Sequence, residues 1–309
     1  MEKTMKRLTL RFFDVSYPSL TSENSLVEKL SGKLSSSASS RMMLLNKSDP
    51  DKSDLISDFL YTLSGKRIIA GTYLRIANSS DVSIITQDML AQNQFKVSTI
   101  NKDASAQEKT CLDYFYFCMS DDKLIVTLDS RKTINRMETY VNWLLNTTST
   151  GNRVSFTPIV DSTKISAADL KKITINNGSS IFVDSGDNHQ EDKENSSVIR
   201  LAKDALRKLF DETDTLDELI EENICSAQLV IKFTKPRNMG VEEYRRKTIG
   251  AALKPIEEPE SVKIQTNGKK IKGSEILKTE EIAVDVLEGL VSEQEVYQKM
   301  ITIMRRLLA

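Results

Sequence analysis

Residues 114–128 read YFYFCMSDDKLIVTL. Two aromatic and β-branched runs flank a short polar break at Asp121 and Asp122, the arrangement of two antiparallel strands joined by a tight turn. Downstream of this hairpin the spacing predicts a helix. Ile134, Met137, Tyr140, Val141, Leu144 and Leu145 recur at three- and four-residue intervals on one face, with Trp143 just off the stripe. RVSFTPIV (153–160) reads as a strand whose Pro158, lacking an N–H, favours an edge position. SAADLKKITI predicts a short helix from a Ser166 cap, and SSIFVDS (179–185) a further short strand.

Upstream, RLTLRFFDVSY (7–17) alternates as an opening strand, and the Ser-rich SGKLSSSASSRM (31–42) reads as a mobile tract. Leu55, Ile56, Phe59, Leu60 and Leu63 have helical spacing, with Ser53 as N-cap and Gly65 as C-cap. RIIAGTYLRIA and VSIIT predict a hairpin turning around Asn78 to Asp81. A polar tract, SGDNHQEDKENSS (185–197), breaks the pattern. VIRLAKDALRKLF and the acidic LDELIEENI then read as helices, AQLVIKF (227–233) as a buried strand and VEEYRRKTIGAALK as a helix. SVKIQTNGKKIKG forms a hairpin at Asn267–Gly268. The last segment, from Glu281, reads as a long helix weakened at Gly289 and restarted by a capping box of Ser292 and Glu295. Val296, Met300, Ile303 and Leu307 form one stripe there, and Tyr297, Ile301, Met304 and Leu308 a second, so this helix is either deeply buried or covered by a partner.

These elements predict an α+β (mixed α/β) chain of small antiparallel hairpins with interspersed helices and a long C-terminal helix. The predicted division is an N-terminal α/β domain over 1–185, a polar linker over 186–197, and a C-terminal α/β DNA-binding and dimerisation region over 198–309. With 309 residues and 39% hydrophobic content there is enough apolar material for such cores. No run of 18 apolar residues predicts a membrane span, and MEKTMKRLTLRFF has no apolar stretch of signal-peptide type, so a cytoplasmic protein is expected.

Catalytic motifs are sparse. Ser31-Gly32-Lys33-Leu34 and Ser64-Gly65-Lys66-Arg67 lack the glycine-rich turn and the hydroxyl of a phosphate loop. The one histidine, His189, lies in the polar tract, and Cys111, Cys118 and Cys225 form no CxxC pair. Glu191-Asp192-Lys193 matches the Glu-x-Lys of magnesium nucleases but sits where no strand is predicted to hold it. The expectation is a protein that is not an enzyme, with no cofactor, no metal and no catalytic residues. A metal-dependent nuclease with carboxylates distant in sequence, or an adaptor that binds other proteins, are the alternatives.

Charge is sorted along the chain. Between Leu229 and Lys272 stand eleven Lys/Arg against five Glu, whereas Asp211 to Glu222 carries seven acidic residues and no basic one, in a chain of net charge −1. Such sorting points to a polyanionic partner. Lys232, Lys235, Arg237, Arg245, Arg246, Lys247, Lys269, Lys270 and Lys272 are the candidate contacts to double-stranded DNA. Glu242 and Glu243 can also pair with Arg246 and Lys247 along a helix. No aromatics interleave with the cations, so backbone contact with little sequence preference is expected rather than base stacking.

The order of TYLRIANSSDVSIIT, YFYFCMSDDKLIVTL and GNRVSFTPIVDSTKISAADLKKITINNGSSIFV resembles the central part of the RexA family of phage-exclusion proteins. Gly151, Arg153, Val154 and Pro158 carry the resemblance most clearly, and AQLVIKFTK resembles the family's strand entering a basic turn. The likeness covers roughly residues 55 to 309 in arrangement, with sparse identities. It implies a cytoplasmic, homodimeric DNA-binding protein of a prophage or bacterial anti-phage defence system. That protein would act as a sensor for a membrane effector partner without itself inserting in the membrane. Only Lys232 and Lys235 are carried over as DNA contacts.

Overall fold

A computed structural model describes residues 4–18, 25–45, 52–62, 66–78, 84–97, 109–128, 134–147, 152–161, 163–164, 172–177, 227–232, 249–250, 253, 262–265, 270–287 and 290–309. The chain forms two compact units. The larger comprises Met1–Asp129, Ile134–Thr157 and Thr279–Ala309; the smaller comprises Ser130–Thr133 and Pro158–Lys278. The final strands and helix therefore group with the N-terminal part, not with the basic region that precedes them.

The larger unit is built on an antiparallel sheet. Its strands are β1 (Thr4–Ser16), β2 (Met43–Leu44), β3 (Lys52–Thr62), β4 (Ile68–Asn78), β5 (Ile84–Ile85), β6 (Lys109–Met119), β7 (Lys123–Val126), β8 (Ser155–Pro158), β13 (Thr279–Leu287) and β14 (Leu290–Val291). They run in the order β14-β13-β1-β7-β6-β4-β3-β2, with β5 beside β6 and β8 beside β1. Helices α1 (Leu26–Leu34), α2 (Gln87–Ala91), α3 (Asn135–Leu144) and α5 (Glu293–Leu308) pack on this unit. The α+β expectation with interspersed helices is thereby corrected: the architecture is a curled, half-barrel antiparallel sheet with few helices.

Three segments account for the difference. The stretch expected to be a helix around Leu55 to Leu63 is β3, paired with β4 along its length. Ser53 through Asp58 are all buried, so both faces of the strand are covered and the period-two pattern that marks a half-exposed strand is absent. A bulge between Ile56 and Asp58 shifts the phase further. Among the described residues the second expected hairpin is not paired as such: β4 pairs with β3 and β6, and β5 pairs with β6. Finally, EIAVDVL is strand β13, lying against β1 from Thr4↔Val286 to Arg11↔Thr279.

At the strand that lies between β3 and β6, one glycine is required by contact. A Cβ on Gly71 would lie 2.5 Å from the Asp58 carbonyl oxygen and 2.9 Å from the Phe117 ring. No side chain fits there without moving backbone.

The Ser-rich tract is ordered, against the expectation of mobility, because a guanidinium holds it. Ser25 caps α1 by accepting from Glu28 N, and Leu26, Val27, Leu30 and Leu34 are buried. The fully buried Arg41 then donates to the carbonyl oxygens of Leu34, Ser36, Ile56, Ser57 and Asn93. Two of those carbonyls belong to the end of α1 and its exit, where helical acceptors lack partners of their own.

Helix α5 starts as its sequence predicts, with the Ser292 hydroxyl accepting from Glu295 N. The Glu295 carboxylate accepts instead from Asp285 N on β13, at 2.9 Å, which ties the helix to the sheet. Val296, Met300 and Ile303 of one stripe and Tyr297, Ile301 and Met304 of the other are all buried, and α5 lies against β4, β6, β7 and β13. Deep burial within its own unit accounts for both stripes, so the helix supplies no separate argument for a homodimer.

In the smaller unit a four-stranded sheet runs β10-β9-β11-β12, with β9 (Lys172–Asn177), β10 (Ala227–Lys232), β11 (Val262–Gln265) and β12 (Lys270–Lys272). Strands β11 and β12 and the single turn α4 (Gly273–Ile276) surround a small core of Val160, Ile249, Leu253, Val262, Ile264, Ile276 and Leu277.

Candidate nucleic-acid interface

The register of the smaller sheet gathers lysines from distant parts of the chain. Lys232 stands opposite Lys172, Lys172 opposite Gln265, and Gln265 opposite Lys270, which makes one row across all four strands. Two residues along, Val230, Thr174, Lys263 and Lys272 make a parallel row. Residues directly opposite in antiparallel strands share a face, and so do residues two apart on one strand. The two rows therefore occupy one face of the sheet. The row between them is Ile231, Ile173, Ile264 and Ile271, at positions of the opposite face. Ile264 and Val262 are fully buried, while Lys263, Gln265, Lys270 and Lys272 are exposed and Lys172 is half-buried.

The reason for this local fold is the alternation itself. VKIQ alternates so that Val262 and Ile264 are buried while Lys263 and Gln265 are exposed, and KITIN and KIK carry the same alternation of branched apolar and polar residues in sequence. Strands lie about 4.8 Å apart and alternate residues about 6.8 Å apart. Five lysine positions thus fall within a field of roughly 14 by 7 Å. None of the positions on this face, from Gln228 and Asn176 through to Lys272, is Asp or Glu, and none is aromatic. Like charges at such spacing repel weakly in water, by about 1 kcal/mol or less per pair. A line of phosphates would reverse the sign of that energy and release the counterions it carries.

Of the residues expected from sequence, Lys232, Lys270 and Lys272 lie in this array. Lys235, Arg237, Arg245, Arg246, Lys247 and Lys269 lie outside the described residues, as do His189 and the Glu191–Lys193 triplet. Sequence reasoning missed Lys172 and Lys263 as contacts. Lys172 is hidden because KKITI reads as the end of a helix, although the alternation of Lys172, Thr174 and Asn176 with Ile173 and Ile175 is a strand signal.

In the larger unit several ionisable groups are buried or paired. Asp54, completely buried on β3, accepts from Arg75 at 2.9 and 3.0 Å and from Arg136 at 3.1 Å, and Arg136 also reaches Asp113 at 3.3 Å. Burial alone would raise the Asp54 carboxyl, but the two guanidinium groups outweigh it and hold it below the usual carboxylate range. Asp58 is displaced the other way, raised chiefly by burial, although Lys96 and the Tyr297 hydroxyl, at 3.3 Å, oppose the rise. Burial pushes the Cys111 thiol up to about 11 and raises that of Cys118 as well, so neither is a thiolate at neutral pH. Among the described residues no group of three or more His, Cys, Asp or Glu could hold a metal ion, and no helix is long and apolar enough to cross a membrane. Compared with family models, curated proteins and solved structures, the chain finds no match.

Proposed function

We propose that this chain binds double-stranded DNA through its phosphates, with little preference for sequence, and acts by binding rather than by catalysis. The observation that supports the reading is the register-matched array of Lys232, Lys172, Lys263, Lys270 and Lys272, on strand positions of one face none of which is Asp or Glu. Lysines on paired strands are held on a fixed frame, so the conformational cost of collecting several phosphates is low. The resemblance to phage-exclusion proteins supplies the setting. In it the chain is the DNA-engaging sensor of a cytoplasmic prophage or anti-phage system, is homodimeric, and signals to a membrane effector.

The test is binding of random duplex by the full chain across a range of salt. Each lysine that neutralises a phosphate adds about 0.9 to the slope of log affinity against log salt. Replacing Lys172, Lys263, Lys270 and Lys272 together by Gln is expected to flatten the slope by up to about 3.6 and to weaken all sequences alike. A folded variant with unchanged affinity and slope refutes the reading, and plasmid nicking by wild type with magnesium, abolished by a single Asp or Glu substitution, replaces it with a nuclease.

A further inference from the structure

We propose that Glu295 and Lys299 of α5 stand in for a missing strand on the outer edge of β13, and that they keep β13 from pairing with the β13 of a second copy of this chain. The device belongs to the larger unit and is independent of duplex binding.

Most of that edge is open to a strand partner. Strand β14 pairs only with Val286 and Leu287, so among the described residues 279–285 have no strand beside them on that side. Asp285 fixes the direction of the backbone groups. Its N–H donates to Glu295 Oε2 at 2.9 Å and its carbonyl accepts from Ser292 N at 3.4 Å, so both point away from β1. Outward groups recur at every second residue of an antiparallel strand, which places those of Thr279, Glu281 and Ala283 on the same edge. Lys299 Nζ donates to the Ala283 carbonyl, the next outward acceptor after that of Asp285. Glu295 and Lys299, four residues apart on α5, also pair with each other at 2.6 Å. An acceptor and a donor at successive outward positions are what a neighbouring strand would supply. Lys299 and the Asp285 amide hold the Glu295 carboxyl below its usual range, so the acceptor is a carboxylate at neutral pH.

The other end of the sheet is closed in the same manner. On β3, past the two residues that β2 covers, Ile56 N donates to the Tyr140 hydroxyl at 3.2 Å and Ile56 O accepts from Arg41 Nε at 2.8 Å. Side chains thus occupy outward backbone groups at both ends of the strand order. An unblocked edge is a template for another chain, and native sheets blunt it with charge or with a covering helix.

A second copy is the occupant because β13 is complementary to itself. Two such strands, antiparallel about a two-fold axis at Ile282, set Glu281 opposite Ala283, Glu280 opposite Val284 and Thr279 opposite Asp285. No like charges stand opposite in that register. Sliding it by two residues brings Glu281 against Glu281 in one direction and against Asp285 in the other, and like charges directly opposite are destabilising.

The experiment is sedimentation velocity of the full chain across the micromolar range. E295A/K299A should self-associate at least about tenfold more tightly than wild type. E295Q/K299R retains an acceptor and a donor and should match wild type. Adding E281P to E295A/K299A removes an outward amide without touching the ladder to β1, and should abolish the extra association. K299M leaves the Ser292 cap intact, so it carries the test if the double variant fails to fold, and it should shift in the same direction. A folded E295A/K299A or K299M that keeps the wild-type mass throughout, or extra association that survives E281P, overturns the proposal.

Discussion

Replacing Asp54 by Asn tests whether the buried ion cluster holds the larger unit together. The carboxylate is inaccessible to water, and its partners Arg75 and Arg136 are mostly covered, with side-chain exposures of 12% and 26%. Arg136 belongs to α3 and also lies over the Tyr73 ring at 5.8 Å, so Asp54 joins β3, β4 and α3 at one point. Breaking a buried pair by removing one partner costs about 3–5 kcal/mol, because the remaining charge is left uncompensated. Asparagine keeps one acceptor oxygen, so the lower end, about 3 kcal/mol, is expected at neutral pH. The assay is urea unfolding followed by the fluorescence of Trp143, the one tryptophan, which packs against the core of this unit on α3. The sign of the pH dependence is fixed by the lowered folded-state pKa. Asp54 contributes stability that is present above its unfolded value of about 3.9 and disappears as pH falls through the lower folded value. The gap between wild type and D54N should therefore close on acidification below about pH 4. A cost under about 1 kcal/mol at neutral pH, the range of a surface pair, or a gap that persists in acid would refute the argument.

Asp58→Asn should behave in the opposite sense. Its raised carboxyl means that wild type loses stability as pH rises from the unfolded value through the folded one, so D58N gains on wild type as pH rises; parallel unfolding curves from about pH 4 to 8 would exclude this. Gly71→Ala drives a methyl group into the Asp58 carbonyl and the Phe117 ring and should cost roughly 1–3 kcal/mol, read as a lowered thermal midpoint; an unchanged midpoint would mean that β3 and β4 separate easily there.

The elements legible in the sequence are those whose own residues carry a turn, period or cap signal. The 114–128 hairpin, helix α3, strand β10, the pairing of β11 with β12 and the Ser292 cap all follow from periodicity or capping chemistry. The segments that misled are those whose neighbours decide their state. Strand β3 is covered on both sides, so Leu55, Ile56 and Phe59 carry no strand period. The Ser-rich tract looks unstructured because its organiser, Arg41, acts on carbonyl groups, which sequence does not distinguish. Strand β13 looks helical because Glu281, Ala283 and Asp285 are as compatible with a helix as with the outer face of a strand. For the candidate interface, charge locates β10 and the β11–β12 hairpin, but only the register of β9 brings Lys172 between them.

The two ends of the segment Pro158–Lys278 lie side by side. Val160 bridges Leu277, and Lys278 N donates to Ile159 O at 2.9 Å, so the chain that leaves β8 is held next to the chain that enters β13. The segment Pro158–Lys278, which makes up most of the smaller unit, is thus an insertion whose two ends meet, and a short splice from the end of β8 to the start of β13 could remove it without stretching the host. The same arrangement imposes an order on folding. Leu8 pairs with Ile282, so β1 must remain without its β13 neighbour until residue 282 has been synthesised. The inserted unit, whose strands all lie between those two, has the opportunity to fold first.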